Sequence, residues 1–170
     1  MAKAAFLRPF QENMREFIHQ RTFYEWGLKH LEVSTEDSWL SGKFNGFIDI
    51  SIRSERSPDF ILAIEIEHKS SYFQATRNIL KLKEWVHKSN YRQCGLLHVF
   101  NEGSNIDIDP ISHLVHLAKQ EEKKNKGFTY NLILYTVADG RATRRTAEEL
   151  VYSKEFELRL WQLLQEVRLV

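Results

Sequence analysis

Two stretches of the chain decide its fold: FIDISI at residues 47–52 and FILAIEIEHK at residues 60–69. The isoleucines of the first stretch alternate with other residues, which is the period-two pattern of a β-strand with one apolar face. The second stretch also has an apolar face, and its other face carries Glu65, Glu67 and Lys69 at every second position. A turn-like SERSPD segment separates the two stretches. The sequence therefore predicts a β-hairpin with one charged face.

The register of this hairpin decides which carboxylates meet. A turn centred near Ser57 places Asp49 opposite Glu65 with Glu67 on the diagonal, whereas a centre at Pro58 places Asp49 directly opposite Glu67. In either register the Cβ atoms lie roughly 4.5–8 Å apart. Two carboxylates about 5 Å apart repel by roughly 3 kcal/mol at an effective dielectric constant of about 20. A cluster of this kind favours a bound cation.

A site made of oxygen ligands suits Mg²⁺ or Mn²⁺, because Mg²⁺ is usually held by one or two carboxylates and keeps several waters. Lys69 would then orient a water molecule or stabilise charge on a phosphate, which is the arrangement of metal-assisted hydrolysis. The alternative is an amphipathic strand whose charged side chains form solvated ion pairs at the surface.

The remaining periodicity predicts the other elements of the domain. Helices are expected at about residues 9–31, 71–88, 111–126 and 147–167, and further strands at 96–100 and 130–137. Trp39-Leu40 could start another strand. The order is helix, two or three strands, helix, strand, helix, strand, helix, which predicts an α/β domain with a mixed central sheet flanked by helices.

Composition places these elements in one domain over residues 1–170. The chain has 170 residues, 42% hydrophobic and 28% charged, with a formal net charge of +1. That length and composition suit a single globular core. The near-neutral charge gives no overall attraction to nucleic acid, so any such binding must come from local basic patches. The single cysteine, Cys94, excludes an internal disulfide and a Cys-based zinc cluster.

The sequence also lacks the signals of membrane insertion and export. No apolar stretch reaches the length of a transmembrane helix, and the apolar run at the N-terminus is too short for a signal peptide. We expect a cytoplasmic protein with no membrane partner.

The motifs GFID at residues 46–49 and EIEHK at residues 65–69, lying between two helices, resemble the PD-(D/E)XK nuclease superfamily over roughly residues 10–100. This resemblance implies a restriction-endonuclease-like α-β-β-β-α-β core, to which the chain adds a C-terminal helix–strand–helix. It implies one or two Mg²⁺ ions bound through Asp49, Glu67 and the backbone carbonyl of His68. Lys69 would be the catalytic lysine of the family, and Glu65 would be an outer ligand or a ligand of a second metal.

Other features of the superfamily are met only in part. Some branches have Gln-x-x-x-Tyr on the following helix; here Gln74 matches the Gln, and Asn78 stands where the Tyr is expected. Gln74 would position the lysine or the substrate. Ile48 replaces the proline that precedes the aspartate of the motif. Some members add a glutamate from the first helix, for which the candidates are Glu12, Glu16 and Glu25.

Basic residues outside this motif could contact the phosphates of a nucleic acid, with DNA favoured over RNA. The alternative for the basic loop at residues 140–145 is a solvated turn before the cap of the last helix, with Thr146 and Glu149 as the capping pair. His98 lies in an apolar strand, where a satisfied core histidine is expected. The candidate phosphate contacts are Arg77, Lys81, Arg141, Arg144 and Arg145.

Together these features predict a Mg²⁺-dependent nuclease, a DNA endonuclease that hydrolyses phosphodiester bonds. The first alternative is a non-catalytic nuclease-fold module that binds a protein or a nucleic acid, and the second is a small-molecule phosphohydrolase using the same carboxylates. A nuclease of this size could act as a homodimer or as a subunit of a larger complex. Exposed apolar residues of the C-terminal helix, which ends in VRLV at residues 167–170, are the expected interface.

Overall fold

A five-stranded mixed sheet lies between two layers of helices in the computed structural model, which describes residues 7–37, 48–67, 72–88, 93–101, 108–124, 127–135 and 143–170. The elements in chain order are α1 (Leu7–His19), a π-helix (Gln20–Glu25), β1 (Leu31–Asp37), β2 (Ile48–Ser54), β3 (Phe60–Glu67), α2 (Tyr72–Lys88), β4 (Gln93–Asn101), α3 (Ile108–Lys124), β5 (Phe128–Tyr135), α4 (Arg144–Val151) and α5 (Lys154–Glu166). This is the predicted α/β fold class, and its first six regular helices and strands follow the α-β-β-β-α-β order of the restriction-endonuclease-like core.

The strands stand in the sheet in the order β1-β2-β3-β4-β5. The first three are antiparallel, and β3, β4 and β5 are parallel. Ile50 pairs with Ile64 and Ile52 with Leu62, so the hairpin turn is centred on Ser57. Continuing this register places Asp49 opposite Glu65, which confirms the first of the two predicted registers. The register centred on Pro58 is wrong.

Each face of the sheet is buried under a different set of helices. On one face, Ile50, Ile52, Leu62, Ile64 and Ile66 join a core with residues of α1, α4 and α5. On the other face, alternate residues of β3 and β4 pack against α2 and α3. Ile48 belongs to this second core, so the strict alternation predicted for β2 ends at Asp49. Because both faces are covered, the charged face of β3 is buried as well.

The ends of the chain differ from their predicted boundaries. The first helix stops well before residue 31, because a π-helix follows it and Gly27 then adopts a positive φ of 67°. The first strand begins at Leu31, earlier than Trp39-Leu40, which lies outside the described residues. The last predicted helix is two helices, because Ser153 accepts a hydrogen bond from Phe156 N and caps α5.

The C-terminal segment folds back onto the sheet. Val167 is fully buried and Leu169 is 3% exposed, so the prediction that the VRLV end presents an apolar surface is wrong for these two residues. Val167 packs against β4 at Gly95, where only a residue without a side chain leaves room for it. A Cβ atom built on Gly95 would meet Val167 Cγ1 at 2.8 Å and Leu62 Cδ1 at 2.9 Å.

We expect Gly95→Ala to destabilise the protein by about 1–3 kcal/mol, the usual cost of overpacking a core. Equilibrium unfolding in urea measures the change. Val167→Ala should cost less in the Gly95→Ala background than in the wild type, because it removes the methyl group that collides. Strict additivity of the two substitutions would show that the C-terminal segment does not pack on β4 in this way.

Candidate functional site

Asp49 lies where the hydrogen-bond ladder between β2 and β3 opens. The described backbone pairing of these strands ends with Ile50 opposite Ile64. Beyond that pair, the N–H of Ile66 donates to Asp49 Oδ2 at 2.8 Å, so a side chain takes the place of a backbone acceptor. Gln11 of α1 donates from Nε2 to the Asp49 carbonyl at 2.7 Å. Asp49 is therefore fixed both by its side chain and by its backbone, and it is 5% exposed.

Glu67 ends β3, and its side chain lies near residues of α2 and of β4. Asn78 of α2 donates from Nδ2 to Glu67 Oε1 at 2.6 Å. His98 of β4 places Nε2 at 3.7 Å from the same oxygen. Glu67 is 3% exposed. Burial lowers the pKa of His98 to about 3, with a smaller effect from the charge of Lys81, so this neighbouring imidazole is neutral.

Glu65 has a different kind of neighbour. Lys81 of α2 donates from Nζ to Glu65 Oε1 at 3.1 Å. The side chains of Lys81 and Glu65 are 11% and 5% exposed, so this is a nearly dry ion pair. A pair of this kind offsets the cost of burying either charge alone. The charge of Glu65 is therefore compensated at close range by a lysine of α2.

Tyr130 of β5 extends the cluster to the edge of the sheet. Its hydroxyl lies 2.9 Å from His98 Nδ1, and both side chains are buried. Burial raises the pKa of Tyr130 well above its usual value, and the negative charge of Glu67 adds to this effect. Tyr130 therefore keeps its phenolic proton. The polar cluster runs from β2 across β3 and β4 to β5, under α2.

The residues predicted for the site lie partly within and partly outside this cluster. Asp49 lies on β2, and Glu65 and Glu67 share a face of the neighbouring strand β3. Lys69 and the carbonyl of His68 lie outside the described residues, so their assigned roles stay predictions. Gln74 is exposed in the first turns of α2, one turn before Asn78.

The first helix reaches the site through Gln11 rather than through a glutamate. Glu12 accepts a hydrogen bond from Thr35, and Glu16 forms an ion pair with Arg144. Glu25, in the π-helix, lies near Arg21. Gln11 is buried on the side of α1 that faces the sheet. The sequence alone did not distinguish it from the other polar residues of that helix.

The residues predicted to contact phosphates differ in whether they form ion pairs within the protein. Lys81 belongs to the buried pair with Glu65. Arg144 lies against Glu16 and over the ring of Phe17, and Arg145 pairs with Glu149. These last two contacts agree with the alternative of a solvated helix start, which Thr143, not Thr146, caps. Arg77 is exposed on α2, and Arg141 lies outside the described residues.

The donor set suits a hard divalent cation. Asp49 and Glu67 offer carboxylate oxygens on adjacent strands, and Mg²⁺ needs only one or two carboxylates with water in its remaining positions. Within the described residues, no group of three or more His, Cys, Asp or Glu side chains converges closely enough to hold a metal ion by itself. A metal at this site would therefore rest on these two carboxylates, on water and on the predicted His68 carbonyl.

Three members of the cluster were not assigned to the site from the sequence: Asn78, His98 and Tyr130. Asn78 and Lys81 are three residues apart in a helix and so share a face, which is the signal that could have linked Lys81 to the site. His98 and Tyr130 gave no such signal, because a polar residue in an apolar strand carries no information about its neighbours on other strands.

Comparison with known proteins adds little to these observations. No protein-family model matches the chain, and no curated protein matches it. Among solved structures, the chain is similar to SfsA of Pyrococcus furiosus in complex with Ca²⁺, with 11% identity and a TM-score of 0.39. The similarity covers 76% of this chain and 60% of the SfsA chain. It is too weak to transfer the ion or any activity. In the part of the chain that the structure describes, no helix is long and apolar enough to cross a membrane.

We expect Lys81→Met to destabilise the protein by about 3–5 kcal/mol, since it leaves Glu65 buried without its ammonium partner. Adding Glu65→Gln should restore most of that loss, because the double variant no longer contains the carboxylate whose ammonium partner was removed. A double-mutant cycle of unfolding free energies measures the coupling. A coupling energy near zero would mean that the two side chains do not form a buried pair.

Proposed function

We propose that the protein is a Mg²⁺-dependent nuclease that hydrolyses phosphodiester bonds, with DNA as its substrate and internal cleavage as its mode of action. The observation that carries this proposal is the pair of buried carboxylates, Asp49 on β2 and Glu67 on β3, each held by a described hydrogen bond on neighbouring strands. The N–H of Ile66 donates to Asp49, and the side-chain amide of Asn78 donates to Glu67. Such donors fix the orientation of a carboxylate.

Each residue of the site has a role in this proposal. Asp49 and Glu67 hold the cation, and the His68 carbonyl completes the protein ligands. When bound, the cation supplies a water of lowered pKa and offsets the charge that develops on the phosphate. Lys69 orients the attacking water or donates to a phosphate oxygen. Glu65 modulates the electrostatic field at the cation through its ion pair with Lys81. Gln74, which is exposed near the start of α2, contacts the substrate.

The substrate-binding surface is proposed along the exposed part of α2 and the start of α4. Arg77 is exposed on α2, and Arg145 is exposed beside its partner Glu149. A phosphate can compete for an exposed arginine, because surface ion pairs contribute only about 0–1 kcal/mol. Arg141 is included on its sequence position alone. Arg144 would have to give up its contacts with Glu16 and Phe17, and Lys81 its pair with Glu65.

One observation favours the non-catalytic alternative, a nuclease-fold module that binds a protein or a nucleic acid. The three carboxylates are between 3% and 5% exposed, and a substrate phosphate must reach at least one of them. In either function a second subunit is proposed to dock on α5, where Leu158 is 67% and Trp161 is 38% exposed.

The proposal predicts cleavage of plasmid or oligonucleotide DNA with Mg²⁺ or Mn²⁺ and none with excess EDTA. Ca²⁺ should bind without supporting turnover, because its looser coordination positions the water poorly. Asp49→Asn and Glu67→Gln should each lower kcat by about a hundredfold or more. Glu155→Gln, an exposed carboxylate of α5, is the matched control and should leave kcat unchanged. Wild-type protein that cuts neither DNA nor RNA with any of these cations would establish the non-catalytic alternative.

A separate prediction concerns the lysine. Lys69→Ala should lower kcat by about a hundredfold while changing DNA affinity little, because one phosphate contact among several carries a small share of binding. Single-turnover kinetics separate the chemical step from binding. Cleavage by Lys69→Ala at the wild-type rate would remove this residue from the mechanism.

A further inference from the structure

The imidazole of His98 contains a polar atom whose hydrogen bonding is incomplete. Its side chain is fully buried, and Nε2 has no hydrogen-bond partner within the described part of the chain. A buried donor without a partner costs about 1–3 kcal/mol, so a native protein rarely keeps one without reason. An acceptor, Glu67 Oε1, lies 3.7 Å from this atom, slightly too far for a hydrogen bond. The unpaired atom therefore points at the carboxylate on which the proposed metal site depends.

The position of the ring proton follows from the neighbours of the imidazole. A neutral histidine carries one N–H, on either Nδ1 or Nε2. Tyr130 keeps its phenolic proton, so its hydroxyl can donate to Nδ1 across the 2.9 Å contact. The proton of His98 then resides on Nε2 and faces Glu67. The opposite tautomer would turn the lone pair of Nε2 toward a carboxylate oxygen, which is repulsive.

We propose that Tyr130 and His98 are positioning residues that act in series, from β5 through β4, to hold the Glu67 carboxylate in its metal-binding orientation. This inference rests on the proposed function, since it takes Glu67 as a ligand. Tyr130 selects the tautomer of His98, and the Nε2–H of His98 directs Oε1 of Glu67. Neither residue touches the substrate.

Two features of the geometry support this arrangement over a purely structural one. Asn78 and His98 approach the same oxygen, Oε1, one from the helix layer and one from the sheet, so both can restrict where that oxygen lies. The Asn78 contact is 2.6 Å long and the His98 contact is 3.7 Å long. A shift of roughly half an ångström would bring His98 Nε2 within hydrogen-bond range of Glu67 Oε1.

The chain offers variants that separate the two ends of the imidazole. The side-chain amide of His98→Gln reaches the position of Nε2 and preserves a donor to Glu67. The shorter amide of His98→Asn reaches only the position of Nδ1 and preserves the contact with Tyr130. Tyr130→Phe keeps the ring and removes the hydroxyl. His113→Asn, at an exposed position of α3, is the matched control.

The experiment measures Mn²⁺ affinity by isothermal titration calorimetry for the full chain and for each variant, after circular dichroism has shown that each one folds. Loss of an outer hydrogen-bond partner typically lowers metal affinity or activity 10- to 100-fold. We expect His98→Asn to bind Mn²⁺ about 10- to 100-fold more weakly and Tyr130→Phe about tenfold more weakly. His98→Gln should stay within about threefold of the wild type, and His113→Asn should be unchanged. If His98→Asn fails to fold, the contrast between Tyr130→Phe and the wild type carries the test.

A second measurement needs no metal. The ¹⁵N chemical shifts of the His98 ring in the metal-free protein report its tautomer, and we expect the proton on Nε2. A proton on Nδ1 would overturn the inference even if Mn²⁺ binds. Wild-type Mn²⁺ affinity in both His98→Asn and Tyr130→Phe would also overturn it and leave the proposed function intact. If the wild type binds no Mn²⁺, the proposed function fails, and this inference fails with it.

Discussion

Burial of negative charge is the constraint from which the rest of this site follows. Asp49, Glu65 and Glu67 are each no more than 5% exposed, and an ion removed from water costs several kcal/mol unless its surroundings replace the lost hydration. The described contacts meet this cost in three ways: a backbone N–H released by the opening of the β2–β3 ladder, an ammonium group from α2, and the side-chain amide of Asn78.

The described contacts of the site come from many elements. Lys81 pairs with Glu65, while the N–H of Ile66 and the amide of Asn78 donate to Asp49 and Glu67. Residues from six elements, α1, α2, β2, β3, β4 and β5, therefore converge on one region of the sheet.

The sequence was sufficient for those features that depend on local periodicity. It predicted the hairpin, two possible registers of which the one centred on Ser57 is present, and the α/β class, because side-chain alternation follows directly from strand geometry. It did not predict the neighbours Lys81, His98 and Tyr130, since which helix covers a sheet face, and at what angle, is set by packing. The division of the last helix at Ser153 and the early start of β1 were missed for a related reason: caps and edge strands produce weak periodic signals.

The central claim is that Asp49 and Glu67 together bind a divalent cation, and anomalous diffraction from crystals soaked in Mn²⁺ tests it most directly. The account predicts an anomalous peak within about 2.5 Å of a carboxylate oxygen of each residue, at the distance expected for direct coordination of a small hard cation. A well-diffracting soaked crystal with no peak between these two side chains, or with Mn²⁺ bound only elsewhere, would contradict the claim.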